Sequence, residues 1–292
     1  MALRVPHPIP YQGSKRRIAD AILHYVPLTS RFVEPFAGSA AMSLAAATRS
    51  RSSMFLLNDI NGPLIELWRL ILEQPSELAD SYEVLWDEQI GQEVSHYNRV
   101  RDAFNRYHDP HLFLFLLARC VKSAVRYNTK GEFNQSPDNR RRGRMPHTMR
   151  KHIGEASKLL SNHTVLMSKD YRSILELVDV ADIVYMDPPY QGVSRRGTSR
   201  YCAGLDFEDF VESLECLNKK GIKYIVSYDG RTGQKIHGAT LPDWLGLSRV
   251  SIDAGVSAQA TLNGYRARTI ESLYLSPMLA KNADVIRKRT LF

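Results

Sequence analysis

Short apolar runs along this chain end in acidic or amide residues, and longer segments with helical periodicity separate them. The run 183–186 is β-branched and aromatic, which is typical of a buried strand. The segment 207–219 instead repeats its apolar positions at three- and four-residue intervals, as one face of a helix requires. This alternation predicts an α/β fold with a mostly parallel sheet. The expected strands are 32–33, 54–59, 165–170, 183–186, 222–227, 247–252 and 269–275, and the expected helices are 18–26, 62–72, 173–178 and 207–219.

The pattern changes after residue 74. Two polar helices and a third, largely buried helix are expected there, at 75–92, 97–107 and 112–125. A polar and basic stretch follows before the strand pattern returns. We therefore predict an inserted, mainly helical domain formed by residues 74–159, within a core domain formed by residues 1–73 and 160–292.

Composition places the chain among soluble globular proteins, since 43% of its 292 residues are hydrophobic and 24% are charged. No signal peptide and no apolar run of membrane-spanning length is visible. The three cysteines are odd in number and have no paired spacing. We therefore expect a cytoplasmic protein that binds neither a membrane nor a metal ion.

The net charge of +8 indicates a polyanionic partner. Between residues 116 and 151, ten lysines and arginines stand against two acids, so this segment alone carries as much charge as the whole chain. It mixes cationic, aromatic and amide side chains, which can neutralise phosphates, stack on bases and read base edges. A solvated basic loop is the alternative. The candidate nucleic-acid contacts are Lys122, Arg126, Tyr127, Asn128, Lys130, Asn134, Arg140, Arg141, Arg142 and Arg144, with Arg195 and Arg196 in the long polar loop 191–205.

The strand 183–186 ends in Asp187-Pro188-Pro189-Tyr190, a stiff loop in the position where open α/β sheets bind ligands. Asp187 offers a carboxylate, Pro188 a carbonyl and Tyr190 a flat aromatic face. Two acceptors beside a ring suit a planar group that bears an amine, such as adenine. An ordinary Pro-Pro turn with a capping aspartate is the alternative.

Three further segments indicate a small-molecule site. Gly13 permits a tight turn between Tyr11 and Lys15, although a capped helix with a solvated lysine would look the same. The segment from Glu34 through Pro35 and Phe36 to Gly38 lacks the three-glycine dinucleotide fingerprint and suits a zwitterionic ligand; a plain strand-to-helix turn is the alternative. An acid such as Asp59, at the end of a second strand, can bind ribose hydroxyls or cap the following helix.

Taken together and in this order, these motifs resemble the Dam-like D12 class of DNA N6-adenine methyltransferases, in the arrangement called the α group. The resemblance implies a Rossmann-like methyltransferase fold. It also implies that S-adenosyl-L-methionine (AdoMet) is the methyl donor. The AdoMet-binding residues would be Tyr11, Gly13, Lys15, Glu34, Pro35, Phe36, Gly38, Asp59, Asp170 and Asp187, and the catalytic residues Asp187, Pro188, Pro189 and Tyr190.

The same resemblance implies a site-specific enzyme that methylates a flipped adenine in double-stranded DNA without a metal ion. We expect a monomer, with a dimer on DNA as the alternative. The chain would be encoded by a bacterium or phage and associated with the nucleoid, in restriction-modification or in Dam-like methylation. Two other functions stay open: methylation of RNA adenine, and a catalytically inactive subunit that binds nucleic acid.

Overall fold

A computed structural model describes residues 4–189, 205–232, 235–237, 240–256 and 268–281. Its strands are β1 (Thr29–Glu34), β2 (Ser52–Asn58), β3 (Thr164–Met167), β4 (Ile183–Met186), β5 (Lys223–Thr232), β6 (Lys235–His237), β7 (Ser248–Val256) and β8 (Arg268–Leu275). Its α-helices are α1 (Ala19–Leu23), α2 (Ala41–Thr48), α3 (Gly62–Glu73), α4 (Pro75–Glu88), α5 (Glu93–Tyr107), α6 (Pro110–Arg119), α7 (Pro146–Leu160), α8 (Tyr171–Leu175) and α9 (Phe207–Lys219).

The strands form one sheet in the order β3-β2-β1-β4-β5-β8-β7, and β6 pairs with the end of β5. The five strands from β3 to β5 are parallel, whereas β8 runs antiparallel to both of its neighbours. The predicted α/β class with a mostly parallel sheet is confirmed. The strand order reverses between β1 and β4, and ligands of open α/β sheets bind at such a switch point.

Both faces of the sheet are covered by helices. Phe32 and Val33 are consecutive residues of β1. They belong to two different hydrophobic clusters on opposite faces of the sheet, as strand geometry requires. The cluster with Phe32 includes buried residues of α1 to α7, and the cluster with Val33 includes those of α8 and α9. The helices α4 to α6 therefore pack on the same core as one face of the sheet.

Several predicted boundaries were wrong. The third inserted helix ends at Arg119 rather than at residue 125, because Cys120 is extended and forms a β-bridge with Pro137. A 3₁₀ turn at Val121–Ser123 follows, in which Lys122 has a positive φ of 61°. The helix α7 was not predicted, and the N-terminal helix is only five residues long, after a 3₁₀ turn at Lys15–Arg17.

Among the described residues, no helix is both long and apolar enough to cross a membrane.

Candidate active site

A cleft of about 510 Å³ lies at the carboxyl ends of β1 and β4, where the strand order reverses. Tyr190 lies outside the described residues, as do Arg195 and Arg196 in the polar loop. All other predicted catalytic and ligand-binding residues line this cleft: Tyr11, Gly13, Lys15, Glu34, Pro35, Phe36, Gly38, Asp59, Asp170, Asp187, Pro188 and Pro189. The five sequence segments that carry them are thus brought together at the switch point.

Asp187 directly follows β4 and forms an ion pair with Lys15, whose Nζ lies 2.8 Å from Oδ1 of the carboxylate. The lysine side chain is 7% exposed and the aspartate side chain 22% exposed. Burial raises the pKa of Asp187 above its ordinary value, while the Lys15 ammonium acts in the opposite direction. The pairing joins residues far apart in sequence, and no pattern in the chain indicated it.

Glu34 ends β1 and turns its carboxylate toward the first turn of α2. Its Oε2 accepts the backbone N–H of Ser43 at 2.8 Å, so the side chain satisfies one of the free amides at that helix terminus. The residue is only 3% exposed. Burial raises the pKa of Glu34 to about 8, although the hydrogen bonds from Ser43 oppose the change. At neutral pH the group is therefore mainly a protonated acid, able to donate as well as accept.

Asp59 follows β2 and holds two backbone amides. Its Oδ2 accepts the N–H of Gly38 at 3.0 Å, and its Oδ1 accepts the N–H of Asn61 at 3.0 Å. Burial raises the pKa of Asp59, and these two hydrogen bonds act against the rise. The N-cap of α3 is Asn61, so Asp59 is not the capping residue of that helix. Each carboxylate oxygen keeps a second lone pair that a hydroxyl group can use.

The loop around Gly38 is fixed from two sides. Its carbonyl oxygen accepts the indole N–H of the fully buried Trp68 at 2.9 Å. Its φ is +49°, and a Cβ at this position would lie 3.0 Å from the Tyr11 ring. Ser14 precedes the 3₁₀ turn at Lys15–Arg17 and makes no capping hydrogen bond; its hydroxyl instead accepts from Ser39 at 3.0 Å.

Asn58 connects three strand ends with one amide. Its Nδ2 donates to the carbonyls of Pro35 and Lys169, both at 2.9 Å, and its Oδ1 accepts the N–H of Lys169 at 2.9 Å. The side chain is 1% exposed. The loops after β1 and β3 are therefore held at a fixed distance across β2, and the cleft wall keeps its shape without a ligand.

Asp170 lines the cleft and is the N-cap residue of α8. Its carboxylate accepts the backbone N–H and the guanidinium of Arg172, both at 2.9 Å. These hydrogen bonds lower the pKa of Asp170, so the group is ionised at neutral pH. The neighbouring Phe36 and Tyr171 rings lie 5.2 Å apart and form an aromatic surface beside it.

The segment 126–134 forms a tight hairpin. Tyr127 and Phe133 form an antiparallel bridge, and Gly131 takes a positive φ of 77° at the turn. The Asn128 side chain is used within this turn: its Oδ1 accepts the N–H groups of Lys130 and Glu132, and its Nδ2 donates to the Glu132 carboxylate at 2.7 Å. The hairpin is docked on the core through the Tyr127 hydroxyl, which donates to Oδ1 of Asn61 at 3.1 Å.

The arginines after the hairpin have different surroundings. Arg140 and Arg141 both contact the buried Asp138, at 3.4 Å and 2.6 Å. Burial alone would raise the pKa of Asp138, but hydrogen bonds from these two arginines outweigh it and the pKa is lowered. Arg142 lies 3.0 Å from Glu93, and Arg144 donates to the backbone carbonyl and, at 3.0 Å, to Nδ1 of His7.

Part of the positive charge of this segment is thus neutralised or buried. Arg119 is 1% exposed, and its guanidinium donates to the carbonyl of Asp138 at 2.9 Å. This hydrogen bond supports the loop that carries the arginines. Arg150 pairs with Asp80 and Glu83. Lys122, Lys130 and Asn134 are exposed.

The cleft has the size and lining of a small-molecule site, since such sites are typically 300–1,000 Å³ and mostly apolar with a few polar groups. It offers carboxylates for hydroxyl and ammonium groups, aromatic rings for a flat base, and the buried Tyr185 hydroxyl, which has no hydrogen-bond partner among the described residues. A zwitterionic nucleoside fits this set of groups. In the described part of the chain, no cluster of three or more histidine, cysteine or carboxylate side chains could hold a metal ion.

Comparison with known proteins identifies the family. The model of the D12 class N6 adenine-specific DNA methyltransferases matches residues 11–249. The DNA N-6-adenine-methyltransferase of Escherichia phage P1 is 27% identical over 232 residues, which cover 75% of this chain and 29% of the phage protein. A Type II methyltransferase of Methanocaldococcus jannaschii is 27% identical over 243 residues, or 74% of this chain and 82% of that protein.

A DNA adenine methylase of Salmonella typhi is 28% identical over 188 residues, which cover 63% of this chain and 64% of the relative. This chain thus spans less than a third of the phage protein and just under two thirds of the Salmonella protein.

Proposed function

The chain belongs to the D12 class of N6 adenine-specific DNA methyltransferases, and from that premise we propose that it transfers a methyl group from AdoMet to the amine of an adenine in double-stranded DNA. The main support is the cleft at the switch point, where Asp187 and Pro188 lie beside the acids Glu34 and Asp59. An amine-binding pair of acceptors and a nucleoside-binding wall within one cleft are what this reaction needs.

We propose that the AdoMet side of the cleft is formed by the loops after β1, β2 and β3. Asp59 would accept the ribose hydroxyls, Asp170 would lie on the adenine side, and Phe36 would pack against the base. Tyr11, Gly13 and Lys15 would surround the methionine part. When bound, AdoMet supplies a methyl group activated by a positively charged sulfur.

The adenine amine is a weak nucleophile because its lone pair is delocalised into the ring. Asp187 and the carbonyl of Pro188, each accepting one N–H, would hold the nitrogen and favour a pyramidal geometry in which the lone pair is available. Positive charge grows on this nitrogen during the transfer, and the adjacent carboxylate stabilises it. Asp187 need not be a strong base, since the alkylated ammonium loses its proton readily.

The target adenine must leave the duplex to reach this cleft, and Tyr190 would stack on the flipped ring. We propose that residues 74–159 form the DNA-recognition part, with the hairpin 126–134 as its base-reading element. The tie between Tyr127 and Asn61 supports this assignment, because it docks the hairpin next to Asp59 and thus near the cleft. The working form would be a monomer.

The test is transfer of labelled methyl groups from AdoMet to unmethylated duplex DNA, followed by digestion and mass spectrometry of the nucleosides. We expect N6-methyladenine at one sequence, and none with Asp187→Asn. Calorimetry should show that Asp187→Asn still binds AdoMet within roughly tenfold of the unmodified chain, because Asp187 acts on the amine.

Three outcomes would contradict the proposal. Methylation of RNA but not of DNA would support the RNA alternative. AdoMet binding without transfer to any nucleic acid would indicate an inactive subunit. Turnover by Asp187→Asn above about a hundredth of the unmodified rate would show that the negative charge of Asp187 is not needed for the transfer.

A further inference from the structure

Lys15 lies between two carboxylates at the base of the cleft. Its Nζ is 2.8 Å from Oδ1 of Asp187 and 3.9 Å from Oε2 of Glu271. The Glu271 side chain is 17% exposed, and the lysine is nearly buried. A buried ammonium group is costly unless opposite charges surround it. Each of the two carboxylates therefore helps to hold the lysine, and through it Asp187, in place.

The close pairing of β8 with β5 brings Glu271 near Lys15. Glu271 lies on β8 and pairs with Gly230 of β5, beyond an irregularity in β5 between Ser227 and Gly230. A Cβ at position 230 would lie 2.7 Å from the backbone carbonyl of Ile270, so only glycine allows β8 to approach this closely. Glu271 on β8 lies 3.9 Å from Lys15, which in turn contacts Asp187 in the loop after β4.

The pairing leaves one oxygen of Asp187 for a ligand. Oδ1 accepts the Lys15 ammonium, and Oδ2 accepts no hydrogen bond from the described residues. A carboxylate that is fixed at one oxygen cannot rotate freely. The second oxygen is therefore presented to the cleft in a defined direction, as positioning of a weak nucleophile requires.

We propose that Glu271 is a positioning residue for methyl transfer, which acts through Lys15 to orient Asp187 and to keep the local charge negative. This inference rests on the proposed function. Lys15 and Asp187 alone would form a neutral pair, and a neutral pair stabilises a developing cation poorly. Glu271 adds a negative charge to this pair, beside the amine that becomes positive.

Two further titratable groups among the described residues, Glu34 and Tyr185, interact with Asp187, and both are mainly uncharged at neutral pH. Glu34 is mainly protonated at neutral pH because burial raises its pKa to about 8. Burial also raises the pKa of the Tyr185 phenol, so that it stays neutral. The pKa of Asp187 is lowered by Lys15 and raised by Glu271, which gives the two partners opposite and measurable effects.

The experiment is a carbon-13 NMR titration of the Asp187 carboxyl group, assigned with Asp187→Asn, in the unmodified chain and in variants. We expect Glu271→Gln to lower the pKa of Asp187 by about 0.5 or more, and Lys15→Met to raise it. Glu176→Gln, which removes an exposed acid on the surface, should leave it unchanged. This titration needs no substrate, so it decides the charge coupling even if the chain methylates no DNA.

The second measurement is the rate of methyl transfer in a single turnover. We expect Glu271→Gln to slow methyl transfer by about tenfold to a hundredfold with little change in AdoMet affinity, and Glu271→Asp to restore part of the rate. An Asp187 pKa that is the same in Glu271→Gln as in the unmodified chain would overturn the inference. An unmodified transfer rate in a correctly folded Glu271→Gln would overturn it as well.

Discussion

The indole N–H of Trp68 donates to the carbonyl oxygen of Gly38 at 2.9 Å, and this hydrogen bond joins helix α3 to the loop that lines the cleft. Trp68 is fully buried, so no water competes for the carbonyl. On the other side of the loop, the Tyr11 ring lies where a side chain at position 38 would be. The loop is therefore held between a helix that packs on the core and an aromatic residue of the N-terminal segment.

Trp68→Phe should remove this hydrogen bond while keeping an aromatic ring in the core. The buried carbonyl would lose its partner, at a cost of about 1–3 kcal/mol in the free energy of unfolding. We also expect weaker AdoMet binding, since the loop loses one of the contacts that hold it. Urea denaturation and calorimetry measure the two effects, and Trp244→Phe is the control because Trp244 is 63% exposed. Unchanged AdoMet affinity in Trp68→Phe would show that the other contacts of the loop, with Tyr11 and Asp59, hold it without Trp68.

Asp59→Ala should weaken AdoMet binding by about 1.5–3 kcal/mol if the carboxylate accepts the ribose hydroxyls. The substitution also frees the backbone N–H groups of Gly38 and Asn61, so it should lower the stability of the fold. Asp59→Asn keeps one acceptor oxygen, so its comparison with Asp59→Ala separates the loss of AdoMet binding from the loss of fold stability. An AdoMet dissociation constant that is unchanged in both variants would assign Asp59 to the backbone alone.

Glu34 should make the protein less stable as the pH rises. Its pKa in the folded chain is about 8, against an ordinary value of 4.5, because burial disfavours the ionised form. The unfolded chain therefore loses this proton first, so the contribution is full below about pH 4.5 and is lost as the pH rises toward about 8. The slope in this window is at most about 1.4 kcal/mol per pH unit.

Glu34→Gln removes this proton, while its amide oxygen can still accept the N–H of Ser43. We expect the free energy of unfolding of Glu34→Gln, relative to the unmodified chain, to increase between pH 5 and pH 8 in urea denaturation. The exposed acid variant Glu176→Gln should show no such trend. Parallel pH curves for Glu34→Gln and the unmodified chain would mean that Glu34 is ionised in the fold.

The ends of β2 and β4 were predicted within a residue, because each of these apolar runs stops at a polar residue. The run that ends in Asp187 is the clearest case, and helix α3 was predicted within a residue of its observed end. These features depend on local sequence. A parallel sheet then brings the polar ends to one edge without further information. The predictions for β3 and β5 were wrong: β3 ends at Met167 rather than at residue 170, and β5 continues to Thr232 rather than ending at residue 227.

Contacts between distant segments were not predictable in this way. Lys15 and Asp187 are separated by 172 residues, and Glu271 reaches them only through the irregular pairing of β5 with β8. Its one local sign is an acid in the middle of a strand. The predicted helix to residue 125 failed for a related reason, since the buried Arg119 and the bridge at Cys120 redirect the chain.

The arginines of the basic segment should differ in their effect on DNA binding, according to the contacts that their guanidinium groups make. Arg140 is 69% exposed and lies 3.4 Å from Asp138, so it is available to a phosphate. Arg140→Ala should lower affinity equally on all DNA and reduce the salt slope by about one charge. Arg126 lies in the hairpin, and Arg126→Ala should relax discrimination at one base pair by about 1–3 kcal/mol.

Arg144 is the internal control, because it donates to the backbone of His7 and to the His7 ring. Arg144→Ala should lower the free energy of unfolding and change DNA binding only as far as the loop loosens. Asn128→Ala should act similarly, since the Asn128 amide shapes the hairpin turn. The measurement is binding and methylation of the cognate duplex and of singly substituted duplexes over a salt series. If Arg140→Ala altered base preference while Arg126→Ala changed only the salt slope, the loop would read the sequence and the hairpin would hold the backbone.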